Sequence, residues 1–93
     1  MAGYSFTKDD YSARLRKIEG QVRGLQRLID EDAYCIDVIT QIGSVTKALQ
    51  SVGIGLIDEH IRHCVQEALV ESEEAGRVKI DEATAAIARL MRS

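Results

Sequence analysis

The chain has 93 residues, 45% apolar and 29% charged, with a formal net charge of −3, two cysteines, no proline, three tyrosines and one phenylalanine. That is enough for one small domain, 1–93, and too little for two separate cores. It excludes a membrane span of roughly 18 apolar residues and a disulfide-stapled secreted scaffold. The start, Met-Ala-Gly-Tyr-Ser-Phe-Thr-Lys, lacks the apolar core of a signal peptide, so residues 1–6 read as a flexible lead-in and the protein as cytoplasmic.

The first predicted helix starts near Thr7, a capping hydroxyl, with Asp9 and Asp10 at its positive end. Leu15, Ile18, Val22, Leu25 and Ile29 recur at spacings of three and four, an apolar stripe of helical period. Asp30, Glu31 and Asp32 end this helix and can cap the next, and so short a connection makes the two antiparallel. The second predicted helix runs from about Ala33 to Glu74, with a stripe of Ile36, Ile39, Val45, Leu49, Val52, Leu56 and Ile61 and interruptions at Gly43, Gly53 and Gly55. Around 40 helical residues extend roughly 60 Å, longer than a globule of this size is wide. Such a helix needs a neighbour from a second chain. Gly76 is expected to open a break before a third helix, about Ile80 to Met91, whose apolar face is Ile80, Ala83, Ile87 and Leu90. The expected class is all-α: a three-helix protomer with one long central helix, in a bundle of at least two chains.

Charge is segregated along this pattern. Arg14, Arg16, Lys17, Arg23 and Arg27 face a single acid, Glu19, whereas Asp58 to Glu82 carries eight acids against three bases. One basic face suited to a polyanion accounts for this, and so do two ordinary solvated helix faces.

The residues that bear chemistry are Cys35, His60, His63 and Cys64. His60 and Cys64 are four apart, so a helix projects both from one face towards a single ion. A lone Cys is often a small buried hydrophobe, and a His on an apolar face is often a satisfied core residue. The pair alone therefore leaves metal binding and core packing both open. Cys35 precedes His60 by 25 residues, roughly 37 Å along a continuous helix, so the three meet in one chain only if the helix folds back on itself, whereas an antiparallel pair of chains brings Cys35 of one to His60 and Cys64 of the other. Two thiolates and one imidazole suit Cu(I) better than structural zinc, which usually takes four protein ligands. His63 can add a fourth ligand or support the others from behind, and Tyr34, beside Cys35, can donate a hydrogen bond into the site.

Arg-Leu-Arg-Lys-Ile-Glu-Gly-Gln-Val-Arg-Gly-Leu at Arg14–Leu25, Tyr-Cys-Ile-Asp at Tyr34–Asp37, Thr-Lys-Ala-Leu-Gln at Thr46–Gln50 and Glu-His-Ile-Arg-His-Cys at Glu59–Cys64 resemble the copper-sensing repressors, the CsoR/RcnR-type metalloregulators. The resemblance spans nearly the whole chain and is weakest before Tyr11 and across Val70–Lys79. It implies an antiparallel helical-bundle dimer assembling as a dimer of dimers, a homotetramer that represses transcription when metal-free. It also implies Cu(I), one per subunit, on Cys35 of one chain and His60 and Cys64 of its mate, with release of operator double-stranded DNA and of copper export or handling genes. Tyr34 and an acid of the third helix, Glu82 or its neighbour Asp81, would support the ligands. Nickel- and cobalt-sensing relatives carry an extra N-terminal His, formaldehyde-responsive ones lack the second Cys, and persulfide-sensing ones lack the His.

No helix-turn-helix motif is present, and the expected DNA contacts are Arg14, Arg16, Lys17, Arg23 and Lys47, with Gln50 beside them. The absence of aromatic side chains among them argues against single-strand stacking. A thiol- or persulfide-responsive repressor of the same fold and a cytoplasmic copper buffer are the alternatives. Nothing points to catalysis, a small-molecule substrate or a membrane: Cys35 and Cys64 do not form a C-x-x-C pair, and no nucleophile–base set is visible.

Overall fold

The structure is a computed structural model that describes residues 3–4 and 7–92. The expected flexible stretch 1–6 is thus described only at Gly3 and Tyr4. Three helical runs follow one another without a strand among the described residues: α1 (Lys8–Asp30); a long run of α2 (Cys35–Glu59), a π-helical turn (His60–Val65) and α3 (Gln66–Glu71); and α4 (Glu73–Arg92). No helix among them is long and apolar enough to cross a membrane. The chain divides into two compact units, one of residues Asp9–Val52, the other of Met1–Lys8 with Gly53–Ser93.

In the unit of residues 9–52, α1 has Asp9 and Asp10 in its first turn and Arg27 in its last, each sign opposing the helix dipole. It ends in a Schellman turn. Asp32 takes the left-handed conformation at φ 56°, its N–H donates to the Ile29 carbonyl at 3.1 Å, and the Ala33 N–H donates to Leu28 at 2.9 Å. The Tyr34 carbonyl then accepts the first N–H groups of α2, from Asp37 and Val38. Tyr34 therefore takes the place at which the acidic cluster was expected to cap this helix.

The two helices are antiparallel, as their linker demands. Val22, Leu25 and Ile29 share a groove with Val38 and Ile42 near the turn, while Arg14, Lys17, Ile18 and Gln21 meet Ala48 and Ser51 further along. Only part of the apolar stripe is used. Ile18, Val38, Val45 and Val52 are buried, but Leu15, Val22, Ile29, Ile36, Ile39 and Leu49 remain exposed in the single chain.

In the other unit, α4 packs against the π turn and α3. The break before α4 lies at Ser72, not at Gly76, and α4 begins seven residues before the expected Ile80. Ser72 is extended (φ −168°, ψ 158°), and its hydroxyl accepts the Ala75 N–H at 3.0 Å, with Glu73 and Glu74 in the first turn. A serine cap followed by acids is the stronger start signal, and Gly76 falls inside the helix because it is needed there for packing. A Cβ on Gly76 would run into the Leu69 side chain and come within 3.4 Å of its Cα. Gly53 likewise lets Leu90 of α4 approach, with a Cβ placed there 3.0 Å from a Leu90 methyl. Val65, Ala68 and Ala83 complete this small core.

Gly76→Val is expected to lower stability by about 1–3 kcal/mol through overpacking. Gly76→Ala should cost less, because leaving glycine gains roughly 1 kcal/mol of helix propensity. Urea midpoints at unchanged m-value measure both.

Candidate functional site

His60 and Cys64 bracket the π turn, where one residue more per turn is accommodated than in an α-helix. The His60 ring is half-buried and its Nε2 lies 3.1 Å from the Lys79 carbonyl on α4. A carbonyl oxygen only accepts, so Nε2 carries the proton and donates, which leaves the lone pair of Nδ1 for another partner. The Glu82 carboxylate is 4.0 Å from the same nitrogen and is held by Lys79 Nζ at 3.4 Å. Of the two acids expected near the site, Glu82 is thus the one placed beside His60. Orientation of a ligating imidazole by hydrogen bonding at its far nitrogen is the usual arrangement in metal centres.

His63 turns elsewhere, its Nε2 3.0 Å from Glu59 Oε2 one turn back. Cys64 is half-buried, and its sulfur lies against Gly3, where an added Cβ would stand 3.0 Å away. Tyr4, Leu56, Ile57, His60, Glu82 and Ala83 line an open cavity of about 440 Å³. In the 9–52 unit, Cys35 is exposed in the first turn of α2, next to Tyr34, which is 68% exposed. Among the described residues of one chain, no three His, Cys, Asp or Glu side chains converge as a metal-ligand set.

Two features of this site escaped the sequence reading. The Lys79 carbonyl is a backbone group with no letter to betray it. Gly3 and Tyr4 lie in a segment expected to be flexible. The Glu59–His63 pair was not anticipated either, although its i,i+4 spacing carries the signal.

The basic residues divide into three settings. Arg14 donates to the Ser51 hydroxyl at 2.9 Å and lines a groove with Lys17, Gln21, Ala48 and Ser51. Lys47 and Gln50 are the sequence neighbours of those α2 residues, Lys47 exposed and Gln50 half-buried. Arg16 belongs to a separate shallow groove with Ser12, Leu15 and Glu19. Arg23 is 3.7 Å from Glu19, an exposed pair that reduces its free charge only slightly. The expectation that no aromatic stands among the cations is corrected: the Arg14 guanidinium lies 5.5 Å over the Tyr11 ring. The two are three apart on α1, so the helix stacks them.

An imidazole bound through Nε2 with a thiol one turn away, and a groove between α1 and α2 lined by Arg14 and Lys17, are features that a metal-responsive DNA-binding protein can use. The family model for metal-sensitive transcriptional repressors matches residues 7–89, and the chain belongs to that family. It is 57% identical over 91 residues to the copper-sensing transcriptional repressor RicR of Mycobacterium tuberculosis, covering 98% of this chain and 95% of that protein. To the copper-sensing transcriptional repressor CsoR of Bacillus subtilis it is 44% identical over 62 residues, 67% of this chain and 61% of that one. Its fold is similar to that of CsoR with Cu(I) from Geobacillus thermodenitrificans, with a TM-score of 0.84 and 34% identity over 94% of this chain and 88% of the other.

Proposed function

We propose that this chain is a Cu(I)-responsive repressor of the cytoplasm, working as a dimer of dimers that holds operator DNA when metal-free. Cys35 of one protomer and His60 and Cys64 of its dimer partner form the site, one ion per protomer. The observation that carries this reading is the His60 ring, tied through Nε2 to the Lys79 carbonyl at 3.1 Å, with Cys64 one turn away. That is two ligands of a soft-metal site, fixed in direction and in need of a third. Cys35, exposed at the start of α2, is a thiolate ligand that a second chain can present.

The exposed apolar residues of both units, among them Leu15, Val22, Ile39, Ile54, Ile61 and Ile87, supply the surface on which protomers associate. Bound at the shared site, Cu(I) supplies bonds to sulfur and nitrogen that tie two protomers together. The chain's own residues do the rest. Lys79 and Glu82 fix the His60 ring on α4, so a change at His60 bears directly on the packing of α4 against the π turn. Arg14, Arg16, Lys17 and Lys47 meet phosphates, with Arg23 and Gln50 at the margin, and the effector weakens DNA by favouring the tetramer conformation that binds DNA less well. Tyr34 and His63 stand next in sequence to Cys35 and Cys64 and support them.

Anaerobic titration of reduced protein with Cu(I), beside Ni(II) and Zn(II), tests this while binding to its upstream promoter DNA is followed. Release at one Cu(I) per protomer is expected, lost in Cys35→Ala and His60→Ala while DNA binding persists. DNA that stays bound with copper but leaves with persulfide or oxidant would transfer the role to a thiol-responsive repressor.

A further inference from the structure

Gly3 lies against the Cys64 thiol. Gly3 is buried at φ +90°, and a Cβ built on it would meet Cys64 Sγ at 3.0 Å, the His60 Cα at 3.7 Å and the Glu59 carbonyl at 3.8 Å. A left-handed backbone and so close an approach both call for glycine. Tyr4 follows and lines the cavity that also contains His60 and Glu82. The Tyr4 carbonyl accepts the Thr7 N–H at 3.0 Å and the Thr7 hydroxyl at 3.3 Å, bonds that link Tyr4 to the start of α1.

We propose that Gly3 and Tyr4 form a cover over the Cys64–His60 pair, and that this cover decides which thiol-directed species reach Cys64. Attack on a disulfide or persulfide requires the sulfur nucleophile, the attacked sulfur and the leaving sulfur to line up, and access limits the rate. A bare cation needs only one open lone-pair direction. A backbone pressed against one side of Sγ therefore obstructs the bulky in-line reagent and leaves room for the ion. The cover makes Gly3 and Tyr4 specificity residues that favour a metal over a thiol-reactive effector. That purpose rests on the copper reading above; the shielding itself is a property of the metal-free protein and is measured there, so the two can fail separately.

The test is the rate of Cys64 modification in metal-free Cys35→Ser protein, where Cys64 is the sole thiol, with methyl methanethiosulfonate as the small reagent and dithionitrobenzoate as the bulky one. Two changes lift the arm: removal of residues 1–6, and Gly3→Val, which places a branched side chain at positive φ against Sγ. The strain of that backbone corresponds to roughly 5–30-fold more opening. The bulky reagent is expected to speed up by about that factor in both variants, and the small reagent by clearly less. Cys35, as the sole thiol of Cys64→Ser protein, should react at the same rate with and without the arm. Far-ultraviolet circular dichroism and sedimentation confirm that helicity and assembly are retained. Equal rates at Cys64 with and without the arm, or equal acceleration at both cysteines, would overturn the proposal. Loss of copper-dependent DNA release in wild type with shielding intact would instead remove the copper reading and leave the cover standing.

Discussion

Co-expression of a Cys35→Ala chain with a chain carrying His60→Ala and Cys64→Ala is expected to restore a copper response that neither has alone. In the proposed two-fold symmetric dimer each site would take Cys35 from one chain and His60 with Cys64 from the other. A mixed dimer therefore holds one intact site and one that is wholly vacant. Random pairing places about half of the chains in mixed dimers with one good site of two, so roughly a quarter of the wild-type copper should be bound. Purified through two different tags, the mixed dimers should bind one ion per pair. Each parent protein should bind none tightly and stay on DNA at every copper level. Wild type should lose DNA affinity by roughly 5–150-fold on loading, the range of a 1–3 kcal/mol coupling. A site complete within one chain gives the opposite result, because neither parent can be rescued by mixing.

Salt should weaken DNA binding of the metal-free protein by orders of magnitude. Arg14, Arg16, Lys17 and Lys47 are exposed on the α1–α2 unit, and two protomers double their number. A protein making 6–10 phosphate contacts loses about 10³–10⁵ in affinity between 50 and 200 mM salt. Arg14→Ala should flatten the log–log slope by about 0.9 for each phosphate it contacts. It should also release Ser51, whose hydroxyl the guanidinium engages. Arg23→Ala should also flatten the slope if that side chain meets a phosphate, since its exposed partner Glu19 at 3.7 Å removes little of its charge. Titrations of binding against salt for the two variants measure both slopes, and a flat dependence in wild type would take the basic groove out of the interface.

What the sequence made legible follows its periodicities. The three- and four-residue spacing of Leu15, Ile18, Val22, Leu25 and Ile29 announces α1, and the absence of proline carries the long run that contains α2. The break before α4 was misplaced because Gly76 drew the reading. Ser72 followed by Glu73 and Glu74 held the capping signal, and Gly76 serves the approach of Leu69. The π turn leaves no mark in the letters. An extra residue in a turn is decided by what packs against it, here α4. The His60 and Cys64 spacing was legible because side chains four apart share a helical face, and Glu82 was legible only as one of two neighbours. The hydrogen bond that orients His60 is donated to a main-chain oxygen, and Gly3 meets Cys64 from 61 residues away in sequence. Neither is a property of local pattern.

The small core has a consequence for how much of this protein a cell must hold. Among the described residues only Ile18, Val38, Val45, Val52, Val65, Ala68 and Ala83 are buried apolar side chains, and none is sealed below 2% exposure. Under the proposed assembly, a protomer so thinly packed would draw much of its folding free energy from association, and its stability would depend on its concentration. Copy number then has a floor. Below it, chains are unassembled, open and accessible to proteases, and the promoter is left unguarded however little metal is present. A gene for a protein of this build is therefore served by steady, modest expression, with the assembly equilibrium setting the least amount that still represses.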